Sequence, residues 1–313
     1  MRLDIFLSQK YSFSRHQAQK LIKDGLVLVN GKIIVKPNFS VAEKDKIQIE
    51  EKKEKPIDIV PNFAINLDVI FEHKGFLIIN KPAGILVHPV KSREAGIPIT
   101  SGLFNRASPV FAKDVADTLV SALIARYPEI KSIGESSRPG IVHRLDQKVS
   151  GLMVIARNQD YYQYFLKIFS EHQIIKKYYA LIHGQPKERC GDIKLGIGRT
   201  KRGKIIATQY AQKVKDYKAA ITKYEVIKIF KKYSFVEIET LTGRTNQIRA
   251  HFKAIGHPLV GDELYGGRKA GLERIFLHAF YLSFVDLDNI KREFVSSLPE
   301  ELDIFLNKLN SPC

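Results

Sequence analysis

Cysteine is nearly absent: of 313 residues only Cys190 and Cys313 carry a thiol, and the second is the last residue. Two thiols cannot build a disulfide framework or a cysteine-rich zinc site, and so few fit a reducing compartment. No stretch approaches the roughly 20 apolar residues that a membrane span requires. The start, Met1-Arg2-Leu3-Asp4, lacks the apolar run and small-residue cleavage site of a signal peptide. The sequence therefore predicts a cytoplasmic protein without membrane contact. Glycine-rich nucleotide loops with their lysine and serine elbows of the hydrolase type are missing too. The histidines at 143, 172, 183, 251, 257 and 278 are scattered, without a paired metal-ligand spacing, so no metal is expected. Neither internal repeats nor low-complexity tracts occur.

Acidic residues are also in deficit. Against 50 Lys and Arg stand 33 Asp and Glu, a formal net charge of +17. A chain this basic attracts polyanions at long range and binds them by releasing counterions. Lysine kept for solubility would give the same balance, so the choice falls to the motifs. The hydrophobic fraction, 44%, is enough for a packed core.

Residues 1–50 read as a small α/β unit. Leu3, Ile5 and Phe6 open a short helix. Ser14 is placed to cap a second, from Arg15 to Asp24, which Gly25 stops. Strand 26–29, the hairpin signal Asn30-Gly31 and strands 32–35 and 44–49 follow. The second helix carries Arg15, His16, Gln19, Lys20 and Lys23, a side suited to phosphates or to plain solvation. Residues 51–62, mixed in charge with Pro56 and Pro61, predict an exposed linker.

From 63 to 313 strands and helices alternate irregularly. Strands are expected at 76–80, 151–156, 178–182, 221–229, 235–241 and 276–284. Helices are expected at 118–127, 158–169 and 245–255. On the second helix Tyr161, Tyr164, Phe165, Ile168 and Phe169 share one face, which the helical period assigns to the core. The fold class is α+β: a large domain on a mixed, largely antiparallel sheet, preceded by the small α/β unit.

Two segments carry candidate chemistry. In Arg138-Pro139-Gly140-Ile141-Val142-His143-Arg144-Leu145-Asp146, a loop enters the strand at Gly151. Arg144 and Asp146 are two apart and point the same way in extended chain. One suits phosphate or base contacts; the other is a potential nucleophile or base. An exposed loop with a local ion pair fits the bare residues too. In the second segment, 242–251, a strand turns into a helix whose inward stripe is Ile248, Phe252 and Ile255. That leaves Arg249 to face an adjoining cleft, where it could hold a carboxylate ionised.

These strings resemble known families. Arg2-Leu3-Asp4, Ser14-Arg15, Leu21-Ile22, Gly25, Val29-Asn30-Gly31 and Asp45 resemble the small RNA-binding domain first described in ribosomal small-subunit protein four. His143-Arg144-Leu145-Asp146 with Ser150-Gly151-Leu152 resembles the signature of the RluA/RluD branch of pseudouridine synthases. Further matching strings are Lys81-Pro82-Ala83-Gly84, Lys177-Tyr178-Tyr179-Ala180, Gly243-Arg244-Thr245 with Gln247-Ile248-Arg249, and Gly256 to Asp262 with Tyr265-Gly266. The strings come in the family's order. Two positions depart from it: Val149 stands where threonine is usual, and Asn246 where histidine is usual. The segment 91–116 is longer than the branch usually has.

The resemblance implies an enzyme that flips a uridine out of structured RNA and reattaches its base through carbon. It implies Asp146, Tyr178 and Arg249 as catalytic residues. Asp146 acts at the sugar as nucleophile or base, Arg249 pairs with it, and Tyr178 packs on the uracil, with proton transfer as a second role open to it. Arg144 would prop the vacated space, Ile248 would wall the base pocket, and Arg244, Arg15 and Lys20 would contact RNA, with His143 either structural or an RNA contact. No cofactor is implied. Ribosomal RNA of the large subunit is the expected partner, transfer RNA the alternative, and the protein is expected to be a monomer. Two readings compete. One is an RNA-binding protein without catalysis. The other is a hydrolase releasing free base, which would ordinarily need paired carboxylates.

Overall fold

A computed structural model describes residues 1–11, 15–42, 44–50, 59–89 and 117–309, without the side chains of His16 and Gln17. The capping role expected of Ser14 and the long segment 91–116 lie outside the described residues. The chain divides into two compact units, Met1–Pro56 and Ile57–Cys313.

In the first unit, helices Leu3–Lys10 and Arg15–Lys23 pack Leu3, Leu7, Ala18 and Ile22 against a three-stranded antiparallel sheet. Its strands are β1 (Val27–Val29), β2 (Lys32–Ile33) and β3 (Ile47–Ile49), in the order β2-β1-β3. Asn30 and Gly31 both have positive φ, 51° and 81°, as the tight hairpin between β1 and β2 requires. The Asp4 carboxylate is fully buried and accepts hydrogen bonds from Arg2, Arg15 and Gln19. Burial alone would raise its pKa, but these donors hold it down at about 2. Arg15 thus spans both environments, bonding Asp4 at 3.2 Å with its side chain still 57% exposed. Lys20 is exposed.

The second unit is built on one nine-stranded sheet. Its strands are β4 (Val69–Glu72), β5 (Phe76–Lys81), β6 (Ser150–Ala156), β7 (Ile175–His183), β8 (Cys190–Lys194), β12 (Ile221–Ile229), β13 (Tyr233–Thr240), β14 (Leu277–Val285) and β15 (Lys291–Val295). They lie in the order β4-β5-β6-β14-β7-β13-β12-β8, with β15 added beside β14. β14 runs parallel to β6, and the other pairs are antiparallel. The expected mixed, largely antiparallel α+β sheet is what forms. β9 (Gly196–Arg199), β10 (Ile205–Thr208) and β11 (Lys215–Lys218) make a separate small sheet.

Alternation along the strands divides the core. Leu77, Ile79, Met153, Ile155, Ala180, Ile182, Val236 and Ile238 pack with helices Leu119–Arg126 and Gln247–Ala254. Phe76, Ile78, Leu152 and Val154 pack with helix Gln159–Ser170, to which Tyr161, Phe165 and Ile168 contribute. The aromatic face of that helix is core, as its period predicts. Thr118 and Asn158 cap two of these helices with their side-chain oxygens.

Two expectations need correction. Ile59 falls in the stretch expected as exposed linker, yet it is buried in the large unit's core. Its apolar side chain outweighs the polar residues around it. The helix expected from Thr245 starts at Gln247. Asn246 before it has φ 54°, a left-handed conformation that no α-helix continues.

Candidate active site

The loop 141–149 joins the sheet through anchors at both ends. Leu145 and Val149 are buried in the core cluster, and the Val149 amide donates to the Asp146 carbonyl to close a turn. With Leu145 turned inward, Arg144 and Asp146 both line an open cleft. Val149, where threonine is usual, is buried and packs in this core. Gly151 follows with φ 125°, and a Cβ there would lie 2.3 Å from the Ala279 carbonyl oxygen. Only glycine lets β6 and β14 approach this closely.

A second layer fixes the loop from behind. The Gly84 amide donates to the Gln147 carbonyl at 2.8 Å, and Gln147 Nε2 donates back to the Gly84 carbonyl at 3.0 Å. Lys81, fully buried, donates from Nζ to the carbonyls of Pro82, Ile85 and Gln147. Burial drives its pKa down to about 7. The string 81–84, picked out in the sequence, thus braces the segment next to Asp146.

His143 serves the loop in the same way. Its Nε2 accepts the Val154 amide at 3.0 Å, and its ring stacks on Phe169 with centroids 4.7 Å apart. Burial, with Lys176 nearby, pushes its pKa down to about 3, so the imidazole is neutral. Arg144 is exposed, with Nη1 3.3 Å from His88 Nε2.

The local ion pair that the bare loop allowed does not form. Asp146 pairs instead with Arg249, 103 residues on: Nη1 donates to Oδ2 at 2.7 Å. Among the described residues Asp146 Oδ1 has no hydrogen-bond partner. Arg249 also donates from Nε and Nη2 to the two oxygens of Asp262, at 2.7 and 2.9 Å, and from Nη1 to Asn246 Oδ1 at 3.1 Å. Its guanidinium lies 5.0 Å from the centre of the Tyr265 ring. Burial would lower the Arg249 pKa, but Asp262 and Asp146 overcome this and raise it above its ordinary value. Asp262 is 1% exposed, and the preceding Gly261 has φ 79° where a Cβ would meet the Arg274 carbonyl. Asn246, the second departure from the usual pattern, lends its amide to Arg249 and Tyr265.

The turn 242–247 is held by Gln247. Its Oε1 accepts from the Thr242 hydroxyl and the Arg244 amide, and its Nε2 donates to the Ile221 carbonyl and Thr222. This places Arg244 and Ile248 on the cleft wall. Tyr178, on β7, faces the same space; burial pushes its phenol up to about 12, and the Asp146 charge acts in the same direction.

The cleft, about 510 Å³, brings together Asp146, Tyr178, Arg249, Arg144, His143, Ile248 and Arg244. That is the volume of a small-ligand pocket. Arg15 and Lys20 belong to the other unit. Sequence reasoning assigned no role to Asp262, Tyr265, Lys81 or Lys176. Asp262, Tyr265 and Lys81 do stand in the quoted strings, and that was the available signal.

Comparison with known proteins identifies the family. Residues 75–254 match the family model for RNA pseudouridylate synthase, and residues 1–47 match the S4 domain. An uncharacterised RNA pseudouridine synthase of Aquifex aeolicus is 34% identical over 88% of this chain and 80% of its own. Ribosomal large subunit pseudouridine synthase D of Buchnera aphidicola is 35% identical over 97% of this chain and 93% of its own. Among solved structures, human RNA pseudouridylate synthase domain containing 1 superposes with a TM-score of 0.54 at 25% identity, covering 79% of this chain and 96% of that one. No helix among the described residues is long and apolar enough to cross a membrane.

Proposed function

The chain belongs to the RNA pseudouridylate synthase family of isomerases, and we propose that it modifies uridines of large-subunit ribosomal RNA through Asp146. One observation carries this reading: Asp146 offers the cleft a carboxylate bonded through one oxygen to Arg249, with Tyr178 across the same space. The S4 unit, the net charge of +17 and the large-subunit activity named for the Buchnera relative support ribosomal RNA.

Isomerisation breaks the bond from C1′ to N1 and forms one from C1′ to C5. The C5 proton leaves and N1 gains one, so atoms and electrons balance without an oxidant. A uridine inside folded RNA must first leave its stack, at a cost of a few kcal/mol. Arg144, exposed at the rim, fills the vacated place; its planar guanidinium suits stacking and phosphate contact. Ile248 walls the base, Tyr178 packs on the uracil, and His143 keeps the loop in register. Asp146 then works at the sugar, as nucleophile at C1′ or as base, and either role needs the ionised form that Arg249 favours. Arg244, with Arg15 and Lys20 on the S4 unit, contacts the phosphate backbone. The enzyme works as a cytoplasmic monomer, with the unit Met1–Pro56 binding RNA and the unit Ile57–Cys313 carrying the catalysis.

The test is pseudouridine mapping of all cellular RNA with and without the gene. One or a few large-subunit uridines lose the modification, and wild-type protein but not Asp146→Ala restores it. Loss confined to transfer RNA would overturn the ribosomal assignment.

A further inference from the structure

β7 carries two adjacent lysines with different surroundings. Lys177 donates to Glu237 Oε1 on the neighbouring strand at 2.7 Å. Lys176 lies on the opposite face, the one it shares with Tyr178, and lines the cleft. Its Nζ is 5.3 Å from the centre of the Phe169 ring. It also lies beside the turn at Gly243, where a Cβ would be 3.6 Å from the ammonium. Among the described residues no carboxylate and no hydrogen-bond acceptor reaches Lys176. A half-buried ammonium without a partner is costly, and burial accordingly lowers its pKa to about 8.

The surroundings sharpen the imbalance. Among the described residues Asp146 is the one carboxylate that lines the cleft, and Arg249 already holds it. Arg144 and Arg244 add positive charge to the same wall. Uracil and ribose carry no charge, so the part of an RNA substrate that can neutralise such a cation is its phosphate. We propose that the Lys176 ammonium binds a backbone phosphate adjoining the flipped uridine and so fixes the sugar relative to Asp146. Lys176 and Tyr178 stand two residues apart on one strand face, roughly 7 Å, a separation that a nucleotide spans from ring to phosphate. Phe169 carries the lysine stem, and the missing side chain at Gly243 leaves the ammonium open to the cleft. The proposal rests on the RNA reading above.

The test uses the full chain and a stem-loop RNA carrying the mapped uridine, with a neutral methylphosphonate placed in turn at the linkages 5′ and 3′ to it. Wild-type enzyme should lose about tenfold or more in kcat/KM at one of the two, the value of a charge-assisted hydrogen bond. Lys176→Met, which keeps the stem against Phe169, should lose about as much on unmodified RNA and little more at that linkage. Lys176→Arg should recover most of the loss and the sensitivity to the neutral linkage. If the losses from Lys176→Met and from each methylphosphonate multiply, or if Lys176→Met matches wild type, the phosphate contact is refuted while the functional reading stands. If the wild-type enzyme forms no pseudouridine in any ribosomal RNA, both fall.

Discussion

Asp262 holds Arg249 through two hydrogen bonds, 2.7 and 2.9 Å, on the guanidinium edge that leaves Nη1 for Asp146. One cation therefore serves two carboxylates. The buried Asp262 takes the two-pronged grip, and Asp146 receives a single bond. The consequence is aim: Asp262 fixes where Arg249 points, and Arg249 fixes Asp146 without occupying both its oxygens.

Replacing Asp262 by asparagine removes the charge and half of that grip. Asp262→Asn is expected to lower kcat by about 10 to 100-fold, because small displacements of a reacting group cost that much. It should also lower stability by several kcal/mol, about what breaking a buried pair from one side costs. Affinity for RNA should stay within a few-fold of wild type. Single-turnover rates and urea unfolding check both effects, and a wild-type rate would contradict the positioning role.

Tyr178 is a neutral phenol at working pH, since its pKa lies at about 12. The pH profile of kcat should then show no limb from Tyr178 below pH 10. Tyr178→Phe keeps the ring and loses the hydroxyl, and is expected to cut kcat by about 100-fold with little change in KM, the range of a positioned proton-transfer group. A wild-type kcat in Tyr178→Phe would reduce the residue to packing alone.

His143 and His278 are held neutral in the fold, at about 3 and about 4, chiefly by burial, with a nearby cation adding to it in each case. The unfolded chain takes up these protons near pH 6.5, before the folded protein does. The stability they contribute is complete above pH 6.5 and is lost as pH falls towards 4 and 3. Between pH 7 and pH 5 the loss should be about 2 kcal/mol per histidine. Urea unfolding at the two values reads it, and an unchanged midpoint would contradict the burial of these rings.

On the S4 unit Lys20 and Lys23 are exposed on one helix. Lys20→Ala with Lys23→Ala should weaken RNA binding and reduce the slope of log affinity against log salt by roughly 0.7 to 0.9 for each phosphate that these lysines neutralise. The rate at saturating RNA should not change. An unchanged slope would remove this helix from the RNA interface.

Much of this was legible in the sequence, for reasons that differ by residue. Asn30-Gly31 gave its hairpin because positive φ at two successive residues suits few pairs. The aromatic face of helix Gln159–Ser170 and the stripe Ile248, Phe252 and Ile255 followed from helical period. The pairing of Asp146 with Arg249 came from ordered motifs, since no local pattern joins residues 103 apart. The hold of Asp262 on Arg249 stayed hidden because it depends on the turn at Gly261. Strand alternation puts Lys176 and Lys177 on opposite faces, but tertiary packing decides which face is the cleft. No strand was expected between residues 183 and 220, so the small sheet β9–β11 was missed. Within β9 a Cβ at Gly196 would strike Tyr217 and one at Gly198 would strike Val214, a close packing that only the structure reveals.

The most direct test of the account is pseudouridine formed by purified full-length protein in large-subunit ribosomal RNA, measured for wild type and Asp146→Asn with RNA affinity alongside. The account predicts stoichiometric modification of specific uridines by wild type. It predicts less than about one thousandth of that rate from Asp146→Asn, the scale of losing an essential nucleophile or base, with RNA binding retained. Turnover by Asp146→Asn near the wild-type rate would contradict it.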